Sequence, residues 1–250
     1  RSDQAVKYVD SDETVFPLSM LEAGLGTTND GVYENAVDAE GNVKGISFGE
    51  TVITVSNDSG TSISVNVKVC FKDVTDPAKS TYKTIYWGAD AGIISGFSDG
   101  TFGPEANCTR GQFAIMLWRM AGKPAAYGEP KEFSDVTSSM AYYKAISWAS
   151  SEGIVNGFND GTFRPDDPLT RAQIVIMVWR YLGKDEAESE NSFPDVPSGN
   201  TTYRAVQWAS ENGIVRGYSD GTFRPENNCT REQIVTILYR AVREGFMEVK

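Results

Sequence analysis

The feature that most constrains this sequence is a block that occurs three times between residue 71 and the C-terminus. Each copy contains, in this order, an aromatic residue, the segment Asp-Gly-Thr-Phe and the segment Thr-Arg-x-Gln. The phenylalanine of Asp-Gly-Thr-Phe is Phe102, Phe163 and Phe223 in turn, so the copies are spaced by 61 and then 60 residues. Such regular spacing predicts three similar units around a pseudo-symmetric core. It also predicts a repeated surface rather than one active site.

Each copy has the pattern of two helices joined by a loop. The first helix carries a tyrosine, an aliphatic residue and a tryptophan, which are Tyr82, Ile85 and Trp87 in copy one. A glycine follows at the position of a C-terminal cap, and a proline holds the approach to the second helix extended. The capping glycines are Gly92, Gly153 and Gly213, and the second helices start at Thr109, Thr170 and Thr230.

The second helices are apolar on almost all sides. Their runs read Phe-Ala-Ile-Met-Leu-Trp, Ile-Val-Ile-Met-Val-Trp and Ile-Val-Thr-Ile-Leu-Tyr. A helix with so little polar surface must be buried on most sides. We therefore expect a central three-helix bundle of second helices, with the first helices and the loops outside it. The polar segments 122–132 and 183–192 have the composition of linkers.

Residues 1–72 differ from the repeats. Residues 51–55 and 63–69 alternate apolar and polar side chains with period two, and residues 57–60 between them read Asn-Asp-Ser-Gly. This pattern predicts a β-hairpin. Residues 39–42 mark another turn.

Charge and composition exclude several classes of function. With 23 basic and 34 acidic residues the net charge is −11, which speaks against nucleic acid because phosphate binding needs a basic surface. The absence of histidine removes the commonest general base and most zinc sites. No apolar stretch reaches the roughly 18 residues of a membrane span. We expect no catalytic activity, no cofactor and no bound metal.

The three cysteines have no metal-ligand spacing. Cys108 and Cys229 occupy the same repeat position, where copy two has Leu169. The apolar equivalent favours two small buried hydrophobic residues. A disulfide between them is the alternative, and it requires the repeats to meet near a common axis.

The Thr-Arg-x-Gln segments combine a helix start with a charge that local structure does not explain. Threonine at the N-cap and glutamine at N3 form a capping box. The arginine sits at N1, beside the positive end of the helix dipole, where a cation costs about 0.3–1 kcal/mol. It therefore needs a partner, which is an internal carboxylate, an external anion or both, since one edge of the guanidinium can bind each. The helix amides would add to the affinity for an external anion. The arginines are Arg110, Arg171 and Arg231, and the internal candidates are Asp73, Asp135 and Asp195.

Three sets of repeated residues have both a structural and a functional interpretation. The aspartates just named either cap the following helix or contact a ligand. Each first-helix tryptophan either packs in the core or stacks on a sugar ring. The Asp-Gly segments are similar to parts of calcium-binding loops. A turn is favoured, because the alternating oxygen ligands and the distal glutamate of an EF-hand are absent. The tryptophans are Trp87, Trp148 and Trp208, and the turn aspartates are Asp99, Asp160 and Asp220.

Together these motifs resemble the S-layer homology (SLH) domain family over about residues 71–245. That family most often reads Thr-Arg-Ala-Glu, whereas every copy here ends in glutamine, which keeps the capping role and removes a negative charge beside the arginine. Gly111 is the largest departure, and it weakens its helix start by up to roughly 1 kcal/mol. The N-terminal segment is similar, more loosely, to bacterial Ig-like (Big) modules. The implied domains are an Ig-like module at 1–70 and SLH repeats at 71–122, 123–183 and 184–250.

The resemblance implies a multidomain chain in which a mainly helical, pseudo-trimeric SLH spindle follows a small β-sandwich-like module. It further implies non-covalent anchoring at the Gram-positive cell surface. The partner would be secondary cell-wall polysaccharide, held in grooves between repeats through a pyruvylated amino sugar. A protein–protein interaction or S-layer assembly module without glycan binding is the alternative, with other surface proteins as partners.

The resemblance also implies which residues contact the sugar. A pyruvyl carboxylate suits an arginine, ring hydroxyls suit aspartate and loop backbone groups, and an apolar ring face suits tryptophan. The residues so implied are Arg110, Arg171, Arg231, Asp73, Asp135, Asp195, Gly96, Gly157, Gly217, Trp87, Trp148 and Trp208.

Overall fold

The computed structural model describes residues 49–56, 62–127, 130–183, 187 and 193–250. The chain divides into two units, residues 1–75 with 96–102 and residues 76–95 with 103–250. The described residues form two strands and six helices. These are β1 Gly49–Ser56, β2 Ser62–Val69, α1 Ser80–Asp90, α2 Arg110–Met120, α3 Tyr143–Ser151, α4 Arg171–Tyr181, α5 Thr201–Glu211 and α6 Arg231–Arg243.

Strands β1 and β2 pair antiparallel, in a register that runs from Gly49 opposite Val69 to Ser56 opposite Ser62. This pairing confirms the predicted hairpin. Within the described part of the chain, β1 and β2 make up the whole sheet. The turn at 57–60, the turn at 39–42 and the rest of the predicted Ig-like β-sandwich lie outside the described residues.

The helix ends follow the local sequence signals. Gly92, Gly153 and Gly213 each follow the C-cap residue of a first helix, with φ of 67°, 70° and 69°. Glycine reaches this left-handed conformation without the penalty that a Cβ imposes, so the predicted caps are confirmed. At the start of each second helix, threonine and glutamine form the complete predicted capping box.

The main helix packing runs between repeats rather than within them. Helix α2 packs on α3, α4 packs on α5, and α6 packs on α1. Each second helix therefore pairs with the first helix of the following repeat, and the third repeat closes the ring on the first. An edge-on contact of Trp87 with Tyr239, with ring centroids 5.2 Å apart, belongs to the closing pair. The prediction of a central bundle of second helices did not include this pairing of each second helix with a first helix of another repeat.

A closed ring of backbone hydrogen bonds joins the three repeats at the centre of this unit. The amide of Cys108 donates to the carbonyl of Cys229 at 3.0 Å, Cys229 donates to Leu169 at 2.9 Å, and Leu169 donates to Cys108 at 2.9 Å. All three side chains are fully buried, and both thiols are free. The prediction of small buried hydrophobic residues is therefore confirmed, and the repeats do meet near a common axis.

Candidate functional site in the grooves between repeats

The arginine of each Thr-Arg-x-Gln segment reaches across to the loop of the next repeat. The Arg110 Nε–H donates to the Phe163 carbonyl at 2.7 Å, and the Arg171 Nε–H donates to the Phe223 carbonyl at 2.8 Å. An Nη2–H of Arg231 donates to the Ser95 carbonyl at 2.9 Å. All three side chains are at most 9% exposed. Arg110 and Arg171 therefore donate to carbonyl oxygens. The Asp167 and Asp135 carboxylates also attract Arg110, and Asp135 is one of the internal candidates that the sequence offered.

Aromatic rings of the same loops stack against these guanidinium groups. The Arg110 guanidinium carbon lies 4.8 Å from the centre of the Phe158 ring, and that of Arg171 lies 5.0 Å from the centre of the Tyr218 ring. A second arginine approaches each ring at 4.1 Å, Arg164 over Phe158 and Arg224 over Tyr218. Cation–π attraction therefore adds to the carbonyl contacts in compensating a cation at a helix N-terminus.

The first amides of the second helices are not available to a ligand. In α2 the backbone amide of Arg110 donates to the backbone carbonyl of Asp167 at 3.0 Å, and that of Gly111 donates to the backbone carbonyl of Pro165 at 2.8 Å. The Gln112 amide donates to the Thr109 hydroxyl. Helices α4 and α6 repeat this pattern with carbonyls of the neighbouring repeat. The expectation that these amides add to anion affinity was therefore wrong, because the next repeat already satisfies them.

The aspartates of Phe-x-Asp-Val connect the start of each repeat to its own loop. The two carboxylate oxygens of Asp135 accept from the amides of Phe163 and Arg164, both at 2.7 Å. Asp195 makes the same pair of bonds in the third repeat, and Asp73 accepts from Phe102 at 2.8 Å. Desolvation raises the pKa of Asp195, but the bonds from Phe223 and Arg224 outweigh it and leave the pKa below its usual value.

The loop glycines lie against an aromatic ring of their own repeat. A Cβ at Gly157 would come within 2.3 Å of the Phe133 ring, and one at Gly217 within 2.4 Å of the Phe193 ring. Gly96 has the same relation to Phe71, at 2.6 Å. Glycine is required at this position by close packing, whether or not a ligand contacts the loop.

The tryptophans of the first helices contact aromatic rings in the second helices, or, for Trp208, Phe246 just beyond α6. Trp148 and Trp208 are each 4% exposed, whereas Trp87 is half-buried. Trp148 meets Tyr181 edge-on at 6.0 Å. The interpretation that these tryptophans pack in the core therefore holds for Trp148 and Trp208, whereas Trp87 is partly exposed.

Two inter-repeat grooves contain the predicted arginines. Groove 1–2, a hollow of about 210 Å³ between repeats 1 and 2, is lined by Arg110. Groove 2–3, a hollow of about 360 Å³, is lined by Arg171 of repeat 2, by residues of repeat 3 and by α1 of repeat 1. The polar side chains that share these grooves are Asn156, Gln173 and Arg180 in groove 1–2, and Ser80, Thr81, Thr84, Arg216, Gln233, Thr236, Tyr239, Arg240 and Arg243 in groove 2–3.

The sequence analysis missed a second repeated arginine, which lies near the C-terminal end of each second helix. It is Arg119, Arg180 and Arg240 in the three repeats. In each repeat it directly follows an aromatic residue, and this repeated aromatic-arginine pair could have been recognised from the sequence. Arg119 donates to the Ile93 carbonyl and Arg180 to the Ile154 carbonyl, both at 3.3 Å. Burial lowers the pKa of all three guanidinium groups.

No helix among the described residues is long and apolar enough to cross a membrane. In the same part of the chain, no group of three or more cysteine, aspartate or glutamate side chains is arranged to hold a metal ion.

Comparison with known proteins identifies the repeated unit. The family model of the S-layer homology domain matches three segments, residues 71–114, 132–175 and 192–235. These segments contain the Phe-x-Asp-Val, Asp-Gly-Thr-Phe and Thr-Arg-x-Gln motifs from which the grooves are built.

The curated relatives share the repeat region but are much longer proteins. Cell surface glycoprotein 1 of Acetivibrio thermocellus is 30% identical over 185 residues, 69% of this chain and 8% of the relative. A cellulosome-anchoring protein of the same organism is 28% identical over 63% of this chain and 37% of its own length. An endoglucanase of Bacillus sp. strain KSM-635 is 33% identical over 62% of this chain and 17% of its own length. The chain thus matches less than two fifths of each of these relatives.

Proposed function

Because this chain belongs to the S-layer homology domain family, we propose that it anchors its parent protein to the bacterial cell wall without a covalent bond. Relatives that are named a cellulosome-anchoring protein and a cell surface glycoprotein support this function and a location at the cell surface. We propose no catalytic role for the chain, since the endoglucanase relative extends far beyond the matched region.

The observation that carries the proposal is the concentration of arginine side chains in two inter-repeat grooves. Arg110 and Arg180 line groove 1–2, and Arg171 and Arg240 line groove 2–3. None of the described residues that line either groove is acidic. In a chain of net charge −11, two such hollows favour an anionic ligand.

The ligand that fits this chemistry is wall polysaccharide that carries a pyruvylated amino sugar. The carbonyl contact occupies the Arg110 Nε–H, which is one of five guanidinium N–H donors. The remaining donors suit the planar carboxylate of a pyruvyl ketal. In groove 1–2 the Asn156 and Gln173 amides suit ring hydroxyls, and the Phe158 ring suits an apolar sugar face.

The other predicted site residues have supporting roles in this proposal. Asp135 and Asp195 hold the loops that carry the aromatic rings, and Gly157 and Gly217 let those loops pack closely. Among the tryptophans, Trp87 is the candidate for direct contact with sugar. In the N-terminal segment, we propose that β1 and β2 belong to an Ig-like spacer.

Purified cell-wall sacculi test the proposal in a co-sedimentation experiment. The chain should sediment with intact sacculi, and a pyruvylated hexosamine glycoside should displace it, because the free sugar occupies the same grooves. The same glycoside without its ketal should not compete. Sacculi stripped of secondary polysaccharide should retain little of the chain. Undiminished binding to the stripped sacculi, or binding that the pyruvylated glycoside does not reduce, would contradict the proposal and favour a protein partner.

Variants extend this test to individual side chains. Arg110→Gln together with Arg171→Gln should reduce sedimentation at least about tenfold, since each loses a charge-assisted contact. Lys144→Gln, on the exposed side of α3, removes one positive charge outside the grooves and should bind normally, whereas each single arginine variant should not. Circular dichroism confirms folding, and the competition experiment decides the matter if the double variant does not fold.

A further inference from the structure

The grooves differ at one repeat position that faces the ligand space. The residue before the loop glycine is Ser95 in the first repeat, Asn156 in the second and Arg216 in the third. Asn156 lines groove 1–2, and Arg216 lines groove 2–3 at the equivalent place. Arg243, one turn beyond Arg240 on α6, lines groove 2–3 as well. Groove 2–3 therefore has four arginines where groove 1–2 has two.

The other three arginines of the groove are close enough to Arg240 to repel its charge. Burial lowers the pKa of Arg240, and the charges of Arg216, Arg243 and Arg171 lower it further. None of the described residues that line this groove is acidic. Arg243 also contacts the Glu244 carboxylate, which takes up part of its charge, and solvent screens this partly exposed pair.

The four arginines lie on three different parts of the backbone around the groove. Arg171 donates to the carbonyl oxygens of Phe223 and Arg216, at 2.8 and 3.0 Å, so it is fixed to the loop that carries Arg216. Arg240 and Arg243 project from α6. Helix α1 contributes hydroxyls to the lining, and the Thr84 oxygen lies 3.4 Å from that of Thr236 on α6. The groove thus combines four arginines with neutral hydroxyls.

We propose that groove 2–3 is specialised for a sugar ligand with two negative groups, whereas groove 1–2 accepts a singly charged one. One group binds Arg171, and the second binds between Arg216 and Arg243. A phosphate monoester and a second carboxylate share the required chemistry. The inference rests on the proposed function, and it adds a charge selectivity that differs between grooves.

Calorimetric titration with three disaccharide probes tests this selectivity. The probes carry one pyruvyl ketal, two ketals, or one ketal and one phosphate monoester. The full chain should bind at least one doubly charged probe about tenfold more tightly than the singly charged probe, because a second set of charge-assisted hydrogen bonds forms. The second and third probes distinguish carboxylate from phosphate.

Exchange of the groove residues provides matched variants. Arg216→Asn introduces the residue of groove 1–2 and should reduce the preference for the doubly charged probe about fivefold. Asn156→Arg makes the reverse change and should create a second site with that preference. Lys144→Asn alters the net charge equally on α3 and should leave the preference unchanged. Arg216 and Asn156 are both exposed, so the fold should tolerate the exchange.

The outcomes separate this inference from the function on which it rests. Equal affinity for all probes in the full chain, or an unchanged preference in Arg216→Asn, would overturn the charge selectivity and leave anchoring intact. Failure of every probe to bind the full chain would overturn glycan anchoring together with this inference.

Discussion

At the residue scale, the repeated arginine shows how a charge that a helix disfavours is stabilised from outside that helix. A cation at N1 is opposed by the helix dipole at a cost of about 0.3–1 kcal/mol. In Arg110 and Arg171, a neighbouring carbonyl oxygen and an aromatic ring offset this cost. The Asp167 and Asp135 carboxylates also attract the Arg110 guanidinium, so carbonyl dipoles, an aromatic ring and nearby carboxylates together hold this charge in place.

The three cysteines should differ sharply in reactivity. Burial raises the pKa of Cys108 to about 12 and that of Cys229 to about 11, whereas Cys70 is exposed. Since the thiolate is the reactive species, an aromatic disulfide reagent at pH 8 should quickly label one thiol in the folded chain and all three after urea unfolding. Rapid labelling of three thiols in the folded state would show that the axis is open to solvent.

The stability of the chain should fall in acid partly because of Asp195. Its pKa is lower in the folded state than the usual 3.8. A carboxyl with a depressed folded pKa contributes stability that is present above about pH 4 and is lost as the pH falls through its folded pKa. Urea unfolding between about pH 2.5 and pH 6 should therefore show a smaller loss of unfolding free energy in Asp195→Asn.

Asp90→Asn, an exposed carboxylate on α1, is the control for this measurement and should leave the pH dependence close to that of the unchanged chain. An identical pH dependence in Asp195→Asn would mean that the two amide contacts do not bias the titration of this carboxyl.

At the scale of helices, packing between repeats explains Gly111, which the sequence alone marks as a weak helix start. A Cβ at this position would lie 2.9 Å from the Tyr142 ring. Tyr142 directly precedes α3, which is the packing partner of α2, and threonine stands at the equivalent positions 81 and 202. The glycine is therefore matched to a bulky residue of the next repeat, and the loss of helix propensity is offset by that contact.

A double-mutant cycle measures this match. Gly111→Ala alone should destabilise the chain by about 1–2 kcal/mol, because the added methyl overpacks against the ring. With Tyr142→Thr also present, the same change should be neutral or should stabilise by up to about 1 kcal/mol, as helix propensity predicts. Chemical denaturation gives the four free energies. Additive effects would contradict the proposed match.

At the scale of the whole molecule, the repeats of the helical unit are structurally interdependent. Each second helix takes its packing partner, its first amide acceptors and its arginine contacts from the following repeat. The backbone ring through Cys108, Leu169 and Cys229 closes the arrangement. Stability is thus distributed over interfaces that no single repeat contains.

A single repeat should therefore fail to fold by itself. A fragment of residues 123–183 should give the circular dichroism of an unfolded chain, because α3 loses α2 and α4 loses α5. The full set of three repeats should unfold in one cooperative transition. A stable helical fragment, or three separate transitions, would contradict this interdependence.

The local sequence determined the features that depend on neighbouring residues in the chain. Alternation and turn chemistry predicted the β1–β2 hairpin, glycine predicted the C-terminal caps, and Thr-Arg-x-Gln predicted the capping boxes. Each of these features depends on interactions between residues that are close in the chain, so the local sequence is enough to predict it. The regular spacing likewise determined that there are three equivalent units.

Only the tertiary structure decided which groups remain for a ligand. The partner of Arg110 lies 53 residues away, the amides of α2 are satisfied by the next repeat, and Arg171 at the start of α4 is close enough to lower the pKa of Arg240 on α6. Hydrogen bonds and charge repulsion depend on distances in space, which the order of residues does not state. The sequence therefore specified the repeated parts, and the closure of the ring decided which of their charges face an open groove.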